Sequence, residues 1–497
     1  MNVDSRPWHE LRLDEVVARW AVKAGNQTAL ENRRQDSQED SITWSELDNA
    51  ISAKREELKA LGLNAGDRCA VVLEDSISCL VVVYAVFRVG MILVPVDSEW
   101  GEELRNNILR QAGAQVVLHS TSEGWQTKAL RAGPAQDIPL DSKVAMISYT
   151  SGSTSDPKGV ILCHHHLRSV YMAAAGFLRK AHGRDILRYA CAMRLSGLGV
   201  MGIHYLLAAE LGASMLILDE LTVETAGGFW ATAITERIDI LYLVPALVEL
   251  LLVRSAVSER TSRSITILCG GAPLRAEAQS RFQDRFPARL LNVYGTTEMA
   301  CAIFFGDIDG RGMGTNSIGT PVLGSARLRR PDGGILDGQS FGTLEVTGPS
   351  MARGYWQNHL ATSESFVNGW YLTGDLAERD GSGRYFHRGR QKDIVLRGAF
   401  TIYFAEVEDA LMSFEEVADA CAVRLREGTI GEDVGAIVVA AQGERLDTDD
   451  LVARAAHFLG AARAPRWIVI SDDPIPRVSN GKVDRRAAQR LWSQLTS

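Results

Sequence analysis

The sequence lacks any close cysteine pair. Its seven cysteines, at 69, 79, 163, 191, 269, 301 and 421, are scattered over 497 residues. With no C-x-x-C spacing and an odd count, a disulfide framework or a zinc site is not expected, and reduced thiols are. Positive charge is not in excess either: 53 Lys and Arg against 61 Asp and Glu leave a net charge of -8. No basic field offsets the phosphates of a nucleic acid, so small molecules are the better candidate ligands. Long apolar runs are also missing. The most apolar stretch, Cys79 to Val96, is broken by Arg88 and Gly90, short of the roughly eighteen residues a membrane span needs. It reads as a buried helix running into a strand. The opening MNVDSRPWHELRLDEVV mixes acids with apolar residues and shows no secretory signal, so a cytoplasmic protein with no stable membrane anchor is expected. No fixed repeat or low-complexity tract stands out. What is present is ordinary: 46% hydrophobic and 23% charged residues, enough to bury sizeable cores. At roughly 150 residues per domain the length implies two to four compact units.

Short apolar runs alternate with helical patterns. CAVVLED, a helix to Val89, ILVPVD, another helix and AQVVLHS have the rhythm of a parallel sheet covered by helices. The rhythm resumes with SMLILD, DILYLV and a helix through Val253, SITILCGG and RAEAQSRFQDRF, then RLLNVYG. A large α/β body follows. From about 316 to 391 short runs separated by Gly, Asp and Pro read as hairpins of a β-rich subdomain. After Lys392 come strand-like DIVLRG, a helix FAEVEDALMSF, strands CAVRLRE and VGAIVVAA, and a helix from Thr448 to Leu459. The expected division is an N-terminal domain of residues 1–391 and a small α+β domain of residues 392–497.

YTSGSTSDPKGV, Tyr149 to Val160, supplies five hydroxyls from Thr150 onward, two glycines and a lysine in twelve residues. Glycines let the backbone approach an anion, Ser and Thr hydroxyls donate to phosphate oxygens, and Lys158 adds a point charge. Gly152 and Lys158 have the Walker spacing, but Pro157 stands where the second glycine belongs and Gly159 where the magnesium-binding Ser or Thr belongs. A P-loop is therefore rejected; a Ser/Gly-rich surface turn is the bland alternative. The three adjacent histidines in GVILCHHHL invite a metal reading. Successive helical side chains point 100° apart, so exposed or capping histidines are expected instead.

The order of residues in the loop resembles the T-S-G-S-T-G-x-P-K-G signature of the adenylate-forming (ANL) superfamily, which includes acyl- and aryl-CoA synthetases, peptide adenylation domains and beetle luciferases. Ser155 replaces one glycine. The resemblance implies that Thr150, Ser151, Gly152, Ser153, Thr154 and Lys158 belong to a mobile loop over the ATP phosphates, and that His164 is the recurrent histidine of the next motif. Further motifs follow in the family's order. LCGGAPL resembles the loop passing the adenine, implicating Gly270, Gly271, Ala272 and Pro273. NVYGTTEMA matches the most diagnostic motif. It implies Asn292, Tyr294, Gly295, Thr296 and Thr297 at the nucleotide, with Tyr294 against the adenine, Thr297 at the α-phosphate or substrate carboxylate and Glu298 on magnesium. A carboxylate suits that hard cation, and an aromatic face suits a purine. FGTLEVTGPSMARGYW is similar to a scaffold motif. GWYLTGDLAERD supplies Asp375 for the ribose diol, and YFHRGRQKDIVLRGAF supplies Arg390 near the ribose and Lys392 as hinge, with Gly398 and Ala399 flanking a phosphopantetheine tunnel. PRVSNGKVDR places Lys482 at the lysine that meets the substrate carboxylate and α-phosphate.

The fold so implied is a large α/β N-terminal domain with a β-rich subdomain and a small mobile α+β C-terminal domain. The reaction so implied is carboxylate attack on the α-phosphorus of ATP, then thioester formation with release of AMP and pyrophosphate. Both reactants of the first step are anions, so charge must be neutralised; Glu298-bound magnesium, Lys158 and Lys482 answer that need, with Thr297 beside them. Coenzyme A is the leading acceptor and a carrier-protein phosphopantetheine the rival. The end of the chain soon after Lys482 favours a free-standing ligase. A catalytically silent nucleotide-binding protein is a third reading, disfavoured by the joint presence of Lys482, Glu298 and Asp375. For the acid, CAMRLSGLG places Arg194, Leu195, Ser196 and Gly197 at the pocket, with His164, Gly271 and Gly295. Leu195 stands about where peptide-synthetase relatives carry an aspartate for the amino group, which disfavours an α-amino acid. Arg194 either binds a second polar group on the acid or is a salt-bridge partner directed elsewhere.

Overall fold

The computed structural model describes residues 7–34, 41–121, 124–130, 143–150, 157–183, 185, 188–256, 265–274, 276–306, 317–397, 400–427, 431–477 and 482–496. The chain forms two compact units, the first within residues 1–326 and 346–371, the second mainly of residues 327–345 and 372–497. The architecture is the mixed α/β one expected.

The first unit opens its leading sheet with β1 (Arg68–Leu73), α1 (Ile77–Val89), β2 (Ile92–Asp97), β3 (Val116–Thr121), β4 (Gly124–Ala129), β5 (Val144–Thr150) and β6 (Lys158–Cys163). The strand order is β4-β3-β1-β2-β5-β6. The inner strands are parallel and the edge strands β4 and β6 antiparallel to their neighbours. β2 is buried at every position, which is why ILVPVD shows no alternation: both of its faces are covered. α1 is buried nearly all round. It starts where the Ser76 hydroxyl accepts the Cys79 N–H and ends at Gly90, whose φ of 88° a side chain would resist.

α2 (His164–His182) leads to the second sheet, in which β7 (Arg188–Cys191), β8 (Ser214–Ile217), β9 (Ile240–Leu243), α3 (Pro245–Arg254), β10 (Ile265–Cys269), α4 (Ala276–Arg285), β11 (Ala288–Thr296) and β12 (Cys301–Phe305) follow in turn. Its order is Thr28–Asn32, β8, β7, β9, β10, β11, β12, parallel as far as β11 and antiparallel between β11 and β12. Trp230, Phe282 and Phe286 pack beneath it with Leu241, Leu243 and Ile267. Arg168 of α2, 1% exposed, donates to both carboxylate oxygens of Glu210 at 2.6 and 3.0 Å and to the Leu11 carbonyl. A charge so deep needs such partners.

The second unit contains most of β13 (Trp370–Arg379), then β14 (Tyr385–Arg390), β15 (Ile394–Arg397), β16 (Phe400–Tyr403), α5 (Phe404–Met412), β17 (Val417–Glu427), β18 (Gly431–Ala440), α6 (Thr448–Leu459), β19 (Trp467–Ile470) and α7 (Arg485–Leu495). β17 and β18 pair antiparallel, and β19 joins β18 in parallel. Alternation along β17 divides the core: Ala420 and Ala422 face α5 and α6, while Cys421, Val423 and Leu425 face α7. On that second face Trp492 lies against Gly435, where a Cβ would come within 2.6 Å of the indole. The helix read from sequence as Thr448 to Leu459 has those ends, with Asp447 accepting the N–H groups of Asp449 and Asp450. β16, β19 and α7 are absent from the sequence-based expectation, although Asp484 followed by Ala488, Leu491, Trp492 and Leu495 at helical spacing signals α7.

Candidate active site

β5 and β6 form a hairpin whose register sets Thr150 opposite Lys158. Ser151, Gly152, Ser153 and Thr154 lie outside the described residues, as does the side chain of Thr150. Lys158 opens a strand, not a helix, which distinguishes this loop from a P-loop, where a helix N-terminus would face the anion. Gly159 is needed for packing, since a Cβ would stand 2.8 Å from the Ile147 side chain.

β10 and β11 deliver two further motifs side by side, with Cys269 opposite Asn292. A Cβ on Gly270 would come within 2.6 Å of the Val293 carbonyl oxygen, and one on Gly295 within 1.3 Å of the Cys301 carbonyl oxygen. These glycines let two backbone segments close on each other. Gly271, at φ +86°, turns the chain toward Ala272 and Pro273. Asn292 is buried and donates to the Ser317 carbonyl at 2.6 Å. Tyr294 lies edge-on to Phe304 at 5.5 Å. The Thr296 hydroxyl is buried without a hydrogen-bond partner among the described residues, and Thr297 begins the short turn Thr297–Met299.

Glu298 in that turn is 8% exposed, and its Oε1 accepts from the Tyr355 hydroxyl at 2.8 Å. Burial, and next the Glu298 carboxylate, push the Tyr355 phenol far above its ordinary pKa, so it stays a donor. The Lys158 ammonium lies 4.9 Å from the centre of the same ring, within cation–π range. Tyr355 thus joins the phosphate-loop lysine to the candidate magnesium carboxylate. Reading FGTLEVTGPSMARGYW as scaffold missed it; its only sequence signal was the Gly-Tyr pair closing that motif.

In the acid segment, the Leu195 N–H donates to Asp75 Oδ1 at 2.8 Å, and Arg34 lies 3.4 Å from the other carboxylate oxygen. Burial raises Asp75 to about 6 against the lowering effects of the Leu195 N–H and Arg34. Ser196 is half-buried, and extended Gly197 precedes the helical turn Leu198–Val200. Arg194 Nη1 donates to Asp97 Oδ1 at 2.6 Å and to Ser98 Oγ at 3.2 Å. The Asp97 side chain is 2% exposed. The protein itself therefore supplies the guanidinium's acceptor, and of the two roles open to Arg194 the salt bridge is the one formed. Arg194→Leu is expected to cost about 1–3 kcal/mol of stability by stranding Asp97, read as a lower thermal midpoint, and to change kcat/KM for polar and plain acids in parallel. A selective loss for polar acids would restore a substrate contact.

His164 is buried, edge-on to Phe87 at 5.6 Å, with Nδ1 accepting the Leu13 N–H. Burial lowers it to about 3. The expectation of exposed or capping histidines therefore fails at His164 but describes exposed His165 and His166, whose Nδ1 accepts the Cys163 N–H at 3.1 Å. The three histidines do not converge, yet Cys163, His165 and His166 each bring one donor atom within 4.8 Å of the others. Cys163 escapes the helical spacing argument because its backbone is extended before α2.

In the second unit, β13 and β14 set Asp375 opposite Arg390. Asp375 is 2% exposed, with Arg390 Nε 3.0 Å and His387 Nε2 3.8 Å from Oδ1. The arginine contact is an ion pair without the alignment of a hydrogen bond. Lys392 is exposed in the turn before β15, and Arg424 donates to the carbonyls of Lys392 at 2.9 Å and Ile394 at 2.7 Å. Gly398 and Ala399 lie outside the described residues. Lys482 is exposed two residues before Asp484, which caps α7.

Among the described residues no helix is long and apolar enough to cross a membrane. The AMP-binding enzyme family matches residues 17–356, and the AMP-binding enzyme C-terminal domain matches residues 406–482. A feruloyl-CoA synthase of an Amycolatopsis species is 29% identical over 470 residues, covering 91% of this chain and 94% of that one. The 4-hydroxybenzoate/benzoate CoA ligase of Rhodopseudomonas palustris is 27% identical, over 90% and 88% of the two chains. The AMP complex of o-succinylbenzoate coenzyme A synthetase from Bacillus subtilis shares the fold at a TM-score of 0.82 and 22% identity, over 95% and 97%. ATP and AMP binding, the two-part fold and the motif order agree with these matches: the chain belongs to the AMP-binding enzyme family of the adenylate-forming superfamily, as an AMP-forming ligase of the acyl-CoA synthetase type.

Proposed function

We propose that the chain joins a carboxylic acid to coenzyme A through an acyl adenylate, with AMP and pyrophosphate as products, in the cytoplasm. The convergence of Lys158, Tyr355 and Glu298 from three separate motifs is the observation that carries this reading. The relatives named as CoA ligases favour coenzyme A over a carrier protein. Seven free cysteines suit a reducing compartment.

Glu298 fits magnesium: it is a buried carboxylate with one oxygen engaged by Tyr355, two residues after a threonine whose hydroxyl has no partner among the described residues, and magnesium takes one or two carboxylates together with phosphate oxygens. When bound, the ion neutralises phosphate charge. In this reading Lys158 holds the β- and γ-phosphates with the loop before it, the Gly270–Gly271 backbone passes the adenine beside Tyr294, and Asp375 with Arg390 receives the ribose diol. Lys482 approaches the acid's carboxylate and the α-phosphate. The domain boundary falls at residues 391 and 392, and rotation about Lys392 then brings the thiol path near Gly398 and Ala399.

The test is product analysis. AMP and pyrophosphate should form only with a suitable acid and magnesium, and ADP with phosphate would overturn the proposal. Tyr355→Phe keeps the ring beside Lys158 and removes the bond to Glu298, so the magnesium concentration giving half-maximal rate should rise about tenfold, as for other groups that orient a metal ligand. An unchanged magnesium dependence would make Tyr355 a packing residue only.

A further inference from the structure

The helical segment 198–211 contains a π turn, Met201–Leu206, a rare geometry that recurs at functional sites. It sets His204 on the sheet face formed by Tyr189 of β7 and Tyr242 of β9, whose ring centroids lie 5.7 and 5.4 Å from the imidazole, both edge-on. Tyr189 pairs with Ile240, so Tyr242, two residues further, projects from the same face. Tyr205 follows on the π turn. His204 and Tyr189 are 0% exposed and Tyr205 3%. Among the described residues, one His204 ring nitrogen meets the Ala190 carbonyl and the Tyr205 hydroxyl meets Cys191, yet the other ring nitrogen and the Tyr189 hydroxyl have no hydrogen-bond partner.

Buried polar atoms are almost always bonded, and two unbonded ones on a single aromatic patch call for an explanation. Packing alone does not supply one, since phenylalanine and leucine would fill the same space without the cost. The patch abuts the candidate site. A Cβ on Gly271 would stand 3.3 Å from the Tyr242 hydroxyl, so the aromatic cluster begins at the glycine loop that follows β10.

We propose that this patch binds the far end of the acid substrate, and that the acid is an uncharged aromatic one bearing a hydroxyl or carbonyl remote from its carboxyl group. The proposal rests on the ligase reading above. Ring edges from Tyr189, Tyr242 and His204 suit an aryl face. Burial lowers His204 to about 3, only partly opposed by the Ala190 carbonyl. The imidazole therefore stays neutral, with its N–H toward Ala190 and a lone pair that a phenol can use, while the Tyr189 hydroxyl can donate to a ketone. A second carboxylate would find no positive charge on His204, and the Asp75 carboxylate acts on Tyr205.

The experiment measures kcat/KM for pyrophosphate release by the full-length protein with 4-hydroxycinnamate against cinnamate and 4-hydroxybenzoate against benzoate, with octanoate as the non-aromatic acid. The hydroxylated member of at least one pair should be favoured about tenfold or more, because a site with buried polar groups rejects the analogue that leaves them unpaired. Tyr189→Phe, which removes one oxygen, should reduce that ratio, and His204→Leu should bring it near one, with the larger loss on the hydroxylated acid. Thermal midpoints establish that the variants fold; should His204→Leu not fold, Tyr189→Phe decides. Equal wild-type rates within both pairs, a preference for octanoate, or parallel losses in the variants would overturn the substrate assignment and leave the ligase reading standing. If no acid yields AMP and pyrophosphate, both fall together.

Discussion

Lys482→Ala is expected to slow acyl-adenylate formation on the order of a hundredfold or more, the usual effect of removing one donor aimed at transition-state charge. The acid's carboxylate and the α-phosphate are both anionic, and their approach needs positive charge at the point where the new bond forms. Lys482 is exposed, and the helix after it is capped by Asp484, whose side chain accepts the N–H groups of Arg486 and Ala487. Truncating the lysine therefore leaves the helix start intact, and the thermal midpoint should not move. Thioester formation from supplied acyl adenylate should also persist, because no carboxylate attack is involved. Rapid-quench measurement of each half-reaction separates these outcomes. An unchanged adenylation rate would remove Lys482 from the chemistry.

The second large effect is expected at Lys392. Proline there fixes φ near -65° and pushes Gln391 away from helical geometry, so a rotation about this turn is arrested. The carbonyl of residue 392 remains, and the Arg424 contacts to it and to the Ile394 carbonyl can hold the turn in its present form. Acyl-AMP formation should continue near the wild-type rate while thioester formation is lost. Equal loss of both steps would sink the hinge assignment, and a folded variant competent in both would place the moving bond elsewhere.

The chemistry was legible early because the residues that would meet phosphate, adenine and ribose lie in short contiguous runs. A loop between two strands can be recognised from its own glycines and hydroxyls, wherever the rest of the chain goes. Helix ends were legible for the same local reason, as at Asp447 before α6. Partnerships across the fold were not. Glu298 and Tyr355 are 57 residues apart, Arg194 and Asp97 are 97 apart, and nothing in either neighbourhood announces the other. The sequence left Arg194 with two possible partners, a substrate or a side chain, and the end of β2 chose the second.

The sequence by itself determined the alternation of strands and helices and the residue types available for adenylation, since each depends on spacing within a few residues, and its ordered motifs carried the resemblance to the superfamily. Only the tertiary structure decided that Tyr355 holds Glu298, that Arg194 is spoken for by Asp97, and that His204 sits among tyrosines. Periodicity reports that a face is buried but not against what. Which groups share a low-dielectric interior, and so which charges are paired and which polar atoms are left waiting for a partner, is settled when distant strands come into register and helices pack across them.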